Sequence, residues 1–306
     1  MIKKDIDWVA IGAMIIATFI WASSFIALKS AIGPIGPFSV IFGRMFVASL
    51  CFAIFIKSFL KLRFTKDDIK YLSIMVILEP CLYFIFEAKA LELTSAGQAG
   101  MITSMMPLMT AVGAGIILKE VITRKVMIGS LLAVSGAIWL SLSSAGDEYA
   151  SNPLLGNTLE FFAMVCGAGY AISVRHLSEN FSALFITAIQ AFAGTLFFLP
   201  FAIWEYNTIE INITSEAFLW VCYLGVVVTL GGYGLFNFAL GRVEAVKASI
   251  YINLIPVFTI VLAYFMLGEK LNFVGVIASG IILSGVFISQ MPTGKLKKIR
   301  RVKNAS

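Results

Sequence analysis

Charge is scarce in this sequence. Lysine, arginine, aspartate and glutamate together make up 13% of 306 residues, about half the share found in an average soluble domain. Histidine occurs once, as His176, so a histidine-based metal site cannot be assembled. Four cysteines, Cys51, Cys81, Cys166 and Cys222, all lie inside apolar runs and never in a CxxC spacing. That pattern speaks against a disulfide framework and against a thiolate metal centre, and it suits cysteine as a small buried apolar residue. A Walker-type phosphate loop is missing as well, which argues against a pump powered by its own nucleotide hydrolysis. The pattern implies no cofactor and no metal. With one histidine and scattered acids, a catalytic cluster near a membrane surface has nothing to be built from.

What fills the space is apolar. Hydrophobic residues account for 59% of the chain, and the mean hydropathy is +0.94. So little polar surface cannot cover so much apolar surface in water. An ordinary soluble enzyme, a nucleic-acid-binding domain and a disordered chain are thereby excluded. Runs of about 20 apolar residues are long enough to cross a bilayer as helices. Ten such spans are expected, at 9–29, 38–58, 70–90, 96–118, 125–144, 155–175, 182–204, 217–239, 246–267 and 272–291. The first is too long for a cleavable signal segment. With the N-terminus in the cytoplasm, 19 lysines and arginines fall on the cytoplasmic side and 3 on the outer side, with Arg44 inside a span. Cations favour the cytoplasmic face of a membrane, so both termini are expected there, in the cell (inner) membrane. The net charge of +6 reflects a basic tail, not nucleic-acid binding.

The chain repeats itself. Shifted by 149 residues, Ala90-Leu91 meets Ala239-Leu240, Ala96 and Ala99 meet Ala245 and Ala248, and Pro107 meets Pro256. Thr110 meets Thr259, Glu120 meets Glu269, and Ser135-Gly136 meets Ser284-Gly285. A shift of 146 aligns the first two spans with the sixth and seventh more weakly, setting Lys29 on Arg175 and Arg44 on Gln190. Five spans per repeat is an odd number, so the second half must enter the membrane upside down. Inverted repeats recur in secondary transporters, whose sites lie near midplane where the halves meet. The expected fold is an all-α integral membrane protein with ten transmembrane helices as two five-helix inverted repeats, residues 1–148 and 149–306.

The run Trp21-Ala22-Ser23-Ser24-Phe25 with Lys29, the pair Arg44-Met45 before Phe46, and the duplicated Ala-Leu…Pro…Glu pattern ending at Glu120 and Gly268-Glu269 resemble the EamA-type branch of the drug/metabolite transporter superfamily. The resemblance covers almost the whole chain; Lys119 stands where the first repeat of the family usually has glycine. It implies a carrier working by alternating access and does not imply a substrate.

Glu79 is the leading candidate for the chemistry. It falls near the middle of the third span, where a carboxylate is costly, and its repeat partner is Val228. The scaffold therefore does not require an acid there. Pro80 follows and loosens the helix. Glu79 suits proton coupling, a counter-ion for a substrate amino group, or an interhelical bond that only holds the bundle. Arg44 is expected about 9 Å below the outer boundary, counting 1.5 Å per residue. It suits an anionic substrate group or a structural partner, with Glu160 as a candidate. Glu87 and Lys89 read as interfacial residues, Lys29 and Arg175 as caps or gate residues. Glu120 and Glu269 read as part of the capping region of the helices after them. Pro107 and Pro256 are expected to kink the fourth and ninth spans, as static bends or as a pair of gating elements.

The polar and aromatic inventory outlines a cavity that includes Trp21, Ser24, Tyr83, Gln98, Thr103 and Ser104 from the first half. Tyr170, Ser173, Gln190, Tyr233, Asn237, Tyr251 and Asn253 come from the second. Polar groups at this depth face the bundle interior, and Tyr83 is one turn from Glu79. Small residues at Gly129, Ala133 and Ala137, and at Gly275 and Ser279, allow close helix approach; packing within the bundle and a homodimer interface account for them equally. The expected partners are a small-molecule substrate, the lipid bilayer and protons as a coupling ion. An amino acid or related solute moved outward leads. Uptake of a vitamin, nucleoside-like compound or sugar, and a non-transporting scaffold or channel, remain as alternatives.

Overall fold

The computed structural model describes residues 7–117, 124–143, 150–243, 251–270 and 272–290, and these are helical apart from turns and short connections. The helices are α1 (Trp8–Ile35), α2 (Pro37–Ala53), α3 (Lys66–Leu93), α4 (Ala96–Thr103), α5 (Met106–Ile117) and α6 (Arg124–Ser143). Then come α7 (Pro153–Leu177), α8 (Ala183–Thr208), α9 (Ser215–Leu240), α10 (Ile255–Leu267) and α11 (Phe273–Gln290). Among the described residues, α1, α3, α8 and α9 are long and apolar enough to cross a membrane, with shorter apolar helices between them. Glu120, Thr123, Ala245, Ala248 and the basic tail lie outside the described residues.

Helix ends follow local chemistry. Asp7 caps α1 by accepting the Ala10 N–H at 3.0 Å. Gly36, at φ +94°, ends α1 in a conformation that favours glycine. Pro37 then opens α2, a position where a missing N–H costs nothing. The next two N–H groups, of Phe38 and Ser39, donate to the Glu205 carboxylate of α8 at 3.0 and 2.7 Å. The start of α4 is built the same way. Ala96 and Gly97 donate to the Glu269 carboxylate at 3.0 and 2.9 Å, and Gln98 to the Ser95 hydroxyl at 3.2 Å. Two helices of the first half thus begin on glutamates supplied by the second.

Packing pairs the halves. α2 lies on α8, α6 on α11 and α4 on α10, while α3 packs on α7 and α1 on α9. When the halves are exchanged, α2–α8 and α6–α11 map onto themselves and α3–α7 onto α1–α9, while the counterpart of α4–α10 falls largely outside the described residues. Small residues serve the α6–α11 contact within the chain: a Cβ at Gly285 would lie 2.6 Å from backbone atoms of Gly129 and Ala133. The cations of the first helix in each half also act alike. Lys29 donates to the Thr94 carbonyl just past α3, and Arg175 to the Leu240 and Gly241 carbonyls at the end of α9, at 3.1 and 3.3 Å. Both cap a helix C-terminus, where cations are favoured. Lys29 stands 3.8 Å from Glu269 as well.

The prolines depart from expectation. Neither kinks a continuous helix. Turns at Ser104–Met105 and Asn253–Leu254 break the chain, and Pro107 and Pro256 sit in the first turn of the new helices α5 and α10. Proline is accommodated there because no intrahelical hydrogen bond is lost. The two breaks are separated by 149 residues, the period of the repeat.

Candidate functional site

α3 and α9 both widen at midlength, into π-helical turns at Ile77–Leu82 and Leu224–Tyr233. Such turns free backbone and re-aim side chains. Glu79 and its repeat partner Val228 occupy them. Only at Glu79 does the backbone leave the helix entirely, at φ −149° and ψ 117°, before a cis bond to Pro80. Glu79 is 3% exposed, and the Tyr233 hydroxyl is its side-chain hydrogen-bond partner.

Around it lies a central cavity of about 30 Å³, lined from both halves. Trp21, Ser24, Arg44, Glu79, Tyr83, Tyr170 and Tyr233 all line it, together with Glu87, Thr103, Met106 and Phe236. Eight residues expected to outline the site, Thr103 among them, are therefore brought together. A space of that size holds a few waters.

Arg44 is 1% exposed. Its Nε donates to the Thr229 hydroxyl at 2.9 Å, and that hydroxyl donates to the Leu224 carbonyl at 2.9 Å. The wide turn of α9 is what offers Thr229 to it. The guanidinium sits 4.5 Å from the Phe84 ring centroid and 5.7 Å from that of Tyr233, in range of a cation–π attraction. Glu160 is not its salt-bridge partner: among the described residues no carboxylate stands within ion-pair distance of Arg44. Its field reaches Glu79 and Glu87.

The walls are aromatic and partly unsatisfied. Trp21 packs 4.9 Å from Tyr233 and 4.6 Å from Phe236, centroid to centroid, and its indole N–H has no hydrogen-bond partner. Ser24 bonds back to the Trp21 carbonyl at 2.7 Å. Tyr170 lies 3.1 Å from the Gln190 side-chain oxygen and 3.0 Å from that of Asn237. Asn237 donates to Thr187 at 3.0 Å. Asn237 thus supports the wall from behind. Ser104 bonds to the Met101 carbonyl at 2.7 Å and, with Asn253, belongs to the helix breaks, not to the cavity lining.

Glu87 corrects the sequence expectation most sharply. It is 4% exposed, lines the cavity, and accepts the Tyr83 hydroxyl at 2.9 Å. Lys89, two residues on, does lie at the surface, paired with Glu92 at 2.8 Å. The signal for Glu87 was present: Glu79, Tyr83 and Glu87 are spaced by four, which stacks them on one helix face. Glu205 was also missed, because a cap from a distant helix leaves no mark in local sequence.

A family model described as the EamA-like transporter family matches residues 8–142 and 154–291. Relatives include an uncharacterized transporter, YetK, of Bacillus subtilis (strain 168), 29% identical over 74% of this chain and 69% of that protein. Another is YcxC of the same organism, also an uncharacterized transporter, 26% identical over 94% of each chain. A probable terminal-alkyne amino-acid exporter of Streptantibioticus cattleyicolor is 21% identical over 91% of this chain and 92% of that protein. A solved structure superposes with a TM-score of 0.63 at 17% identity, covering 92% of this chain and 96% of that one, which bears on fold alone.

Proposed function

The chain belongs to the EamA-like transporter family, and from that premise we propose that it is a secondary carrier exporting an amino acid or a related small amine by alternating access. The observation that carries the reading is Glu79, held at a break in α3, in a cavity that both halves line. A cavity at the junction of two repeats is where such carriers bind. Its groups suit a small amphipathic solute with an amino group. Glu79 and Glu87 offer negative charge, the Trp21 N–H is an unused donor, and Tyr83, Tyr170, Tyr233 and Phe236 give apolar surface. Similarity to an amino-acid exporter agrees with that class and with outward movement.

In this reading the ten spans form two inverted five-helix repeats, residues 1–148 and 149–306. The exchangeable pairing of helices and the repeated breaks 149 residues apart support it. The cation bias supports cytoplasmic termini in the inner membrane. Glu79 is the group through which protons are coupled to the solute. One chain lines the whole cavity, so binding does not call for a homodimer.

The test begins with thermal unfolding of the detergent-purified protein across amino acids, amines, nucleosides, sugars and vitamins. A ligand of the folded state raises Tm with concentration over affinity. Hits are then taken to proteoliposome flux with an imposed pH gradient. Amines or amino acids as hits, with flux driven by the gradient and lost in Glu79→Gln, support the reading. Hits confined to neutral sugars or nucleosides, or unchanged pH dependence in Glu79→Gln, refute it.

A further inference from the structure

Arg44 lines the central cavity, and the carrier reading leaves its chemistry unspent. It is 1% exposed, and a guanidinium presents a fork of N–H donors. Among the described residues its side chain makes one hydrogen bond, from Nε to the Thr229 hydroxyl at 2.9 Å. The guanidinium lies over the Phe84 ring, 4.5 Å from its centroid. Its two Nη groups donate to no described residue, and no carboxylate stands within ion-pair distance of them. A buried cation in that state is costly unless a ligand or water completes its shell. Its place is nonetheless firmly set. A Cβ at Gly225 would fall 2.9 Å from the Arg44 carbonyl, so α2 lies directly against the wide turn of α9 that also presents Thr229.

Glu79 and Glu87 line the same cavity. Its wall thus carries charge of both signs, with no direct ion pair between them among the described residues. Each class of solute fares differently against such a wall. An amine pairs with the acids and sets its own positive charge against the guanidinium. A simple anion pairs with Arg44 and faces two acids. A zwitterion meets both signs with their opposites and brings in no net charge.

We propose that Arg44 is the specificity-determining residue of the cavity: its two Nη groups take the carboxylate of an α-amino acid, whose ammonium group turns to the acids of α3. Two parallel donors on a planar fork match the two oxygens of a carboxylate; a carboxamide offers one oxygen, and an amine none. The solute's side chain lies against Trp21, Tyr233 and Phe236, which pack on one another in the same lining. Thr229 is a positioning residue. It holds Nε and so fixes how the fork is turned.

This inference rests on the carrier reading and deepens it, by naming the solute as a zwitterion and the group that selects it. The experiment is thermal unfolding of the purified full chain with each of the standard amino acids, giving apparent affinities from the rise in Tm. Every hit is then compared with its own decarboxylated amine and its own carboxamide. Wild type should bind the amino acid about 10-fold tighter than either analogue, or more. Arg44→Gln should abolish that preference. Arg44→Lys keeps the charge but loses the fork, and should fall between. A role confined to packing would lower Tm without changing the ratio of affinities. If Arg44→Gln does not fold, Thr229→Val keeps the guanidinium and removes only its hold, and the ratio must narrow several-fold. The proposal is overturned by the absence of any amino acid among the hits, by a wild type that binds the amine or carboxamide as well as the amino acid, or by folded variants that keep the wild-type ratio. Hits confined to amines overturn it and leave the carrier reading standing, whereas hits confined to neutral solutes overturn both. An Arg44-dependent ratio with unchanged pH dependence of flux in Glu79→Gln would sink the coupling role and leave this assignment in place.

Discussion

Removing the Glu269 carboxylate should loosen the contact between the halves more than its place in a short loop suggests. Glu269 is 7% exposed and accepts two backbone N–H groups, of Ala96 and Gly97, at 3.0 and 2.9 Å. With Ser95 taking the Gln98 N–H and Ala99 bonding to the Ser95 carbonyl, the first-turn donors of α4 are fully satisfied. A hydrogen bond to a charged group contributes about 1.5–3 kcal/mol. Glu269→Ala loses two and strands both donors, so the cost is about 3–6 kcal/mol. Glu269→Gln keeps one neutral acceptor and should lose about half as much. At about 2 °C per kcal/mol for a chain of this size, the alanine variant should melt about 6–12 °C lower in detergent. The gradation Glu > Gln > Ala is the signature of an acceptor acting on two donors. An alanine variant within about 2 °C of wild type, or equal losses for Gln and Ala, would refute this account.

Other substitutions probe separate parts of the structure. Glu79→Gln should leave expression intact and abolish the dependence of flux on a pH gradient; retained gradient-driven flux would sink its coupling role. Gly285→Ala should destabilise by about 1–3 kcal/mol, because its Cβ meets backbone of α6, whereas Gly280→Ala, with nothing within 4 Å, should be close to neutral; thermal unfolding separates the two. Arg44→Ala should lower stability, since it strands Thr229 and empties the space over Phe84, and Arg44→Lys should recover only part; a fully stable alanine variant would mean the site does not need the guanidinium for packing. Asp68 is held below the usual carboxylate range, first by the Thr65 hydroxyl, then by the Thr65 N–H and Asn180. Its folded pKa is thus below its unfolded one, so its contribution is present above about pH 4 and lost as pH falls through the folded value; Asp68→Asn should flatten that acid-side decline in Tm.

Much of the architecture was legible because the bilayer imposes a simple code. Apolar length marked the helices, and the 149-residue period placed their breaks. What the period could not say was the form of the break. Proline inside a span reads as a kink, yet the chain inserts a two-residue turn first and uses Pro107 and Pro256 to start the next helix. The site was legible where a residue was anomalous on its own, as Glu79 is at midspan. It was obscured where depth had to be judged from sequence distance. Glu87 lies only a few residues before the end of α3 and so reads as interfacial, but it is buried in the cavity wall. Glu205 and Glu269 act across more than 160 residues, a separation at which no local pattern survives.

The same long-range caps bear on how the bundle opens. Both glutamate caps, on α2 and on α4, stand at the end where α1 meets α2 and α3 meets α4, and both tie first-half helices to second-half residues. Passage of a solute to or from a cavity lined by helices of both halves requires some of those helices to separate. At this end, separation means breaking charge-assisted bonds to buried N–H groups, which water must then satisfy. At the other end, Arg175 meets carbonyls of α9 within its own half, the Asp7–Arg242 pair at 3.2 Å is partly solvent-exposed, where an ion pair contributes little, and Asn180 donates to Asp68 across the halves at 3.0 Å. The described contacts thus tie first-half to second-half helices at both ends, by the glutamate caps at one and by Asn180 on Asp68 and Tyr71 against His176 at the other, so opening either end breaks bonds made across the halves.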